Sequence, residues 1–142
     1  MTNFNETMTF PSGATLKNRL MMAPMTTQLS FYNGVITEDE IKYYAERSNG
    51  LGAVITGAAN VQDLGKGWPG ELSIAHDEMI PRLSELAQAI QAKGAKAIIQ
   101  IFHGGRMTKR ATLSGEQIVS ASAIPAERPD AETPRALSED EI

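Results

Sequence analysis

Cysteine is absent from this 142-residue chain. That excludes a disulfide framework, a thiolate metal site and a cysteine nucleophile. It also fits a reducing compartment, so the expectation is a cytoplasmic protein. Histidine occurs only at His76 and His103, and no metal ligands stand at useful spacing beside them. Positive charge is not in excess: the formal net charge is −4. That argues against a nucleic-acid partner, which normally meets a basic patch. The cluster Arg106, Lys109 and Arg110 reads first as a solvated loop, with an anionic contact as the alternative. No apolar run approaches the roughly 20 residues of a membrane span. Met1–Phe10 lacks the basic and apolar regions of a secretory leader. Paired glycosidase carboxylates, a nucleophile–base pair and a Gly-rich phosphate loop are missing too.

What is present suits one globular domain with a core: 42% hydrophobic and 21% charged residues. Leu20–Met25 is a short apolar run stopped at Pro24, read as a buried strand. Thr37-Glu38-Asp39-Glu40 is a capping box. It opens a helix with Ile41, Tyr44 and Ala45 on one face, closed near Gly50 or Gly52. Ala53–Thr56 reads as a second strand ending at Gly57-Ala58-Ala59. Asp77 is a good N-cap with Pro81 tolerable in the first turn. Met79, Leu83, Leu86 and Ile90 form the stripe of that second helix, which stops at Lys93-Gly94. Lys96–Phe102 is a third strand.

Strand, helix, strand, helix, strand is the order of βαβ units, and nearly continuous apolar strands suit a parallel sheet covered on both faces. Residues 104–136 turn to Ser, Ala, Pro, Gly and charge, and read as a long loop excursion with a short strand at Ile118-Val119-Ser120. Ser138-Glu139-Asp140-Glu141 signals another helix start. The expectation is therefore the N-terminal piece of a longer protein.

Ligands of α/β folds bind at the carboxyl ends of the strands. That rule selects Ala23–Gln28, Gly57–Asn60, and Gln100 with His103-Gly104-Gly105-Arg106. These segments combine small residues with neutral amides and hydroxyls. Such a surface suits a flat heteroaromatic ligand that needs backbone and amide hydrogen bonds.

Leu16-Lys17-Asn18-Arg19, then Ala23-Pro24-Met25-Thr26, resembles the opening of the Old Yellow Enzyme family. Gln100-Ile101-Phe102-His103-Gly104-Gly105-Arg106 resembles its Gln-x-x-His-x-Gly-Arg motif. Gly34–Thr37 and Gly50–Thr56 also fit, and Ser120–Pro125 fits weakly. The resemblance implies the first three β/α units of a TIM barrel, truncated here. It implies an FMN-dependent oxidoreductase using NADH or NADPH and passing hydride to an electron-poor alkene or similar acceptor. It implies FMN-binding roles for Ala23, Pro24, Met25, Thr26, Ala58 and Gln100: ring lining, a hydroxyl near the flavin carbonyl, a small residue under the ring edge, and an amide on the pyrimidine edge. No catalytic residue of this chain follows from it, because the family's substrate-anchoring pair, proton donor and phosphate loops lie on later strands. Gln28, where one bacterial subgroup has tyrosine, and Phe102, where some members have tryptophan, leave the substrate class open.

Bland readings stand beside these. Met25 and Pro24 can be strand-end packing, Thr26 a loop start, Ala58 tight helix–strand packing, and His103 a structural histidine. Arg106 reads as a holder of the excursion, and Trp68 as a loop anchor. A TIM-barrel enzyme without flavin and a non-catalytic, self-associating fragment are the rival functions. Partners expected are a small molecule and the rest of the barrel, or further copies of the chain.

Overall fold

The structure, a computed structural model, describes residues 3–142; Met1 and Thr2 of the leader-free N-terminal reading lie outside the described residues. An antiparallel hairpin comes first, β1 (Met8–Thr9) with β2 (Thr15–Leu16). A parallel sheet follows: β3 (Met21–Met22), β4 (Ala53–Asn60), β5 (Leu72–Ser73) and β6 (Lys96–Phe102). β4 is its centre. β3 pairs with the start of β4 through Met21↔Ala53, and β5 with its end through Ala59↔Leu72. β6 runs along the opposite edge from Ala53↔Lys96 to Asn60↔Phe102.

Two helices cover one face, α1 (Glu38–Arg47) and α2 (Ile80–Gln91). Their apolar stripes meet Met22, Val54 and Ala59 in a core that includes Ile41, Tyr44, Leu86 and Ile90. Leu83 and Ala97 pack at its margin. Burial of this stripe is the main stabilising term for such short helices. Both helices end before a glycine in the left-handed region, Gly50 at φ 79° and Gly94 at φ 78°. Their C-terminal turns are held by the segment after β2. Asn18 Nδ2 donates to Gly50 O at 2.7 Å, and Lys17 Nζ donates to Lys93 O at 2.8 Å. The Leu-Lys-Asn-Arg motif is thus a structural clasp at the amino end of the strands.

Several readings need correction. β3 is only Met21–Met22, shorter than the apolar run read as stopping at Pro24, because the backbone leaves the sheet at Ala23 and Pro24 has no N–H for the ladder. β4 runs on through Gly57, Ala58 and Ala59 to Asn60, carried by pairing with β5 and β6. β5 and the hairpin are strands without a two-residue periodicity to reveal them. Asp77 does not cap α2: a 3-10 turn over Asp77–Met79 leads into the helix, with Met79 at the cap position. Thr37 does cap α1, accepting from Glu40 N at 3.2 Å. The reciprocal half of that box is not made, because the Glu40 carboxyl goes elsewhere.

Residues 104–136 fold back on themselves. They hold a 3-10 turn (Gly105–Met107) and β7 (Val119–Ser120), which pairs in parallel with β8 (Arg135–Ala136). Arg128 donates to Met107 O at 3.0 Å, and Lys109 pairs with Asp130. Arg106 Nη1 reaches Pro125 O at 3.5 Å, the holding role expected of it.

Candidate functional site

The site begins with an irregularity in β4. Val54 and Ala59 both face the helices, yet five residues separate them. Strict alternation would put them on opposite faces. The register between β4 and β6 shifts between Ile55 and Ala58, a bulge that restores the match. Three hydroxyl contacts hold it. Gly57 N donates to Tyr44 Oη at 2.7 Å, Thr56 Oγ1 donates to Gly57 O at 2.8 Å, and Gln100 N donates to Thr56 Oγ1 at 3.3 Å. Burial, partly offset by the Gly57 N–H, pushes the Tyr44 phenol up to about 12, so it stays a neutral acceptor here. Gly57 itself leaves no room for a side chain: a Cβ there would lie 2.7 Å from Met25 O. The backbone after β3 is therefore pressed against the bulge.

The bulge decides which way Ala58 points. Ala58 is paired with Gln100 across the ladder, so both side chains leave the sheet on the face away from α1 and α2. Gln100 is exposed, while Ala58 is 9% exposed. Beside them, Ala23, Pro24, Met25 and Thr26 are all exposed along the segment that leaves β3. Thr26 and Ala58 also line one small chamber together. The six residues selected from sequence thus fall at the carboxyl ends of β3, β4 and β6. Ala58 and Gln100 are brought side by side, and Thr26 is brought to Ala58. The open face has small residues, one amide and one hydroxyl. An amide offers both a donor and an acceptor to a planar heterocycle.

Behind this face lies a group of buried polar residues that sequence reasoning missed. Glu40, 1% exposed, accepts from Thr27 Oγ1 at 2.7 Å and from Ser30 Oγ at 2.5 Å. It ties the segment after β3 to α1. Its position in a capping box disguised this role. Glu71, also 1% exposed, accepts from Gly67 N at 2.5 Å through Oε2. Burial pushes the Glu71 carboxyl up to about 7, against the lowering effect of the Gly67 and Trp68 N–H groups and of Lys66. Trp68 is more than an anchor for its own loop, since its ring lies 5.3 Å from that of Phe102 on β6.

His103 accepts from Gly105 N through Nδ1 at 3.0 Å, and burial lowers its basicity. It is a neutral imidazole holding the turn after β6, packed on Gly65, where a Cβ would lie 2.7 Å from its ring. His76 bonds Asp63 at 3.0 Å on the surface, and that carboxylate raises its basicity. Among the described residues no cluster of acidic and histidine side chains can hold a metal. Among them, too, no helix is long and apolar enough to cross a membrane.

Comparison with known proteins gives one consistent result. A family described as NADH:flavin oxidoreductase / NADH oxidase matches residues 7–142. An NADH:fumarate oxidoreductase of Klebsiella pneumoniae (strain 342) is 45% identical over 134 residues, which are 94% of this chain and 14% of that one. An NADH:acrylate oxidoreductase of Vibrio harveyi is 47% identical over 133 residues, covering 94% of this chain and 13% of that one. The chain therefore spans a small part of the length of these curated relatives. The solved structure of an old yellow enzyme homologue from Zymomonas mobilis superposes with a TM-score of 0.83 at 30% identity. It covers 99% of this chain, and this chain covers 41% of it. The fold is that of the first three β/α units of a TIM barrel.

Proposed function

The chain belongs to the NADH:flavin oxidoreductase / NADH oxidase family, and from that premise we propose that it supplies part of the flavin site of an FMN-dependent NAD(P)H oxidoreductase. The observation that carries the proposal is the Ala58–Gln100 pair, set side by side on the open face by the β4 bulge. FMN supplies the hydride chemistry, accepting from a nicotinamide and passing on to an electron-poor alkene. The residues of this chain bind and orient the ring. Gln100 meets the polar edge of the ring with its amide. Ala58 leaves space at the ring edge. Ala23, Pro24 and Met25 line the ring, and the Thr26 hydroxyl steadies negative charge as it grows on the carbonyl side.

The acceptor class has independent support in the two relatives, whose substrates fumarate and acrylate are both unsaturated carboxylates. The structure supports the fit to a flavin with an exposed amide, Gln100, beside the small Ala58, on a strand otherwise rich in isoleucine. We further propose that residues 1–142 by themselves lack reductase activity and associate through the exposed strand β6.

The test is spectroscopic. The intact protein, purified without added cofactor, is expected to show a flavin absorbance band that bleaches on anaerobic addition of NADH or NADPH. A colourless protein that takes up no FMN on titration would overturn the proposal in favour of a TIM-barrel enzyme without flavin.

A further inference from the structure

Glu71 and Trp68 are not explained by packing. Both are large polar side chains in a Gly-Trp-Pro-Gly-Glu turn, and each keeps one buried polar atom without a partner in the protein, Glu71 Oε1 and Trp68 Nε1. One is an acceptor and the other a donor. Leaving either unmatched in a buried site is costly. Both residues line a chamber of about 10 Å³ with Thr26, Ala58, Gly57 and Glu40. That volume is close to the minimum that holds one water molecule. The chamber walls include two of the residues assigned above to the ring of the cofactor.

The surroundings single out Glu71 as the group able to change charge. Both oxygens of Glu40, on α1, are already filled by hydroxyl donors from Thr27 and Ser30. Lys66, on the same loop as Glu71, is committed to Tyr32 O and to the Tyr32 ring. β4 contributes only Gly57 and Ala58, and the segment after β3 only Thr26, Thr27 and Gln28. β6 contributes Phe102, packed on Trp68, with the neutral His103 beyond it against Gly65. Burial already brings Glu71 to the edge of ionisation at neutral pH, so a modest change in nearby charge changes its protonation.

We propose that Glu71 is a proton-holding residue of the flavin site, which takes up one proton when the cofactor is reduced and releases it on reoxidation, through one internal water held between Glu71 Oε1 and Trp68 Nε1. The inference rests on the function proposed above. The balance is simple. The nicotinamide delivers two electrons and one proton together, so the cofactor's charge falls by one. A proton from solvent then forms an O–H bond on the Glu71 carboxylate and restores the local charge. When the alkene acceptor takes those two electrons and one proton as hydride, with its second proton drawn from solvent, the cofactor's added negative charge is lost, the Glu71 O–H bond breaks and that proton returns to solvent. Glu71 need not touch the cofactor; it acts through the field across the chamber.

The experiment is a potentiometric titration of the intact FMN-loaded protein across the neutral pH range, comparing wild type with Glu71→Gln. At acidic pH the two midpoint potentials should coincide, because both side chains are neutral. At alkaline pH wild type should fall below Glu71→Gln, because an ionised carboxylate opposes added negative charge. Between them the wild-type line should be steeper by one proton per two electrons, a tenfold change per pH unit or about 30 mV. Parallel lines with FMN bound would overturn this inference and leave the flavin site standing. Failure to bind FMN would overturn both. A second measurement needs only the wild type: infrared difference spectra on reduction should show a carboxylic acid band, sensitive to deuterium and lost in Trp68→Phe or moved by it. Absence of that band in wild type overturns the inference even where Glu71→Gln does not fold.

Discussion

β4 and β6 are neighbours of almost equal length, eight and seven residues, and both are apolar and β-branched in character. β4 is buried at seven of its eight positions, whereas β6 is exposed at five of its seven. Composition does not separate them; place in the sheet does. β4 has strands on both edges and helices on one face. β6 has one paired edge, and Ile101 on the helix side is 71% exposed. An apolar strand with an open edge is a pairing surface. The same contrast divides the chemistry. β4 positions the site from within the core, and β6 presents Gln100 at its open face.

The largest expected effect lies on the covered side. Leu86→Ala removes a side chain that is 1% exposed in the α2–sheet core. In the intact protein it should cost about 2–5 kcal/mol by urea unfolding. A loss no greater than that of an exposed position would show that the α2 layer is not the core.

The next effect is pH-dependent. The Glu71 carboxyl is raised to about 7 by burial, so its folded form holds the proton more tightly than the unfolded chain. Such a group weakens the fold progressively as pH rises from its ordinary value near 4.5 to about 7. Glu71→Gln should therefore leave stability unchanged in acid and raise it above pH 7 by an amount on the order of 1–3 kcal/mol. A variant that is equally destabilised at every pH would contradict this.

Tyr44→Phe tests how β4 is positioned. It leaves the buried Gly57 N–H without its 2.7 Å partner and should cost about 1–3 kcal/mol. The same change should loosen flavin binding, since the bulge sets Ala58 beside Gln100. Stability lost with flavin affinity intact would separate the bulge from the site.

The smallest effect on stability belongs to β6. Ile101→Ser in the 142-residue chain should change unfolding by less than about 0.5 kcal/mol, the range for exposed positions. Its self-association, followed by sedimentation, should nevertheless fall. Unchanged association would move the contact away from β6.

Most of the framework was legible because it repeats. The third strand, Lys96–Phe102, matches its reading residue for residue. Thr37 and Gly50 bound α1 by local chemistry that needs no tertiary contact. What escaped depends on partners far along the chain. β5 is two residues, and only its ladder with Ala59 and Asn60 makes it a strand. The bulge at Thr56–Gly57 is held by Tyr44, from a helix ending ten residues earlier in outline but packed beneath it. Glu71 follows a Pro-Gly pair and reads as turn surface; nothing in its neighbours marks a buried carboxyl. The site residues were selected by the rule that ligands meet strand ends. Their mutual placement, Ala58 against Gln100, required the register.

The central claim is that this open face receives FMN through Gln100. The direct measurement is the FMN dissociation constant of the intact protein with and without Gln100→Ala. The account predicts a loss of about 1–3 kcal/mol, roughly fivefold to 150-fold weaker binding, from an unpaired polar edge. An unchanged dissociation constant, with FMN bound, would contradict it and place the flavin elsewhere.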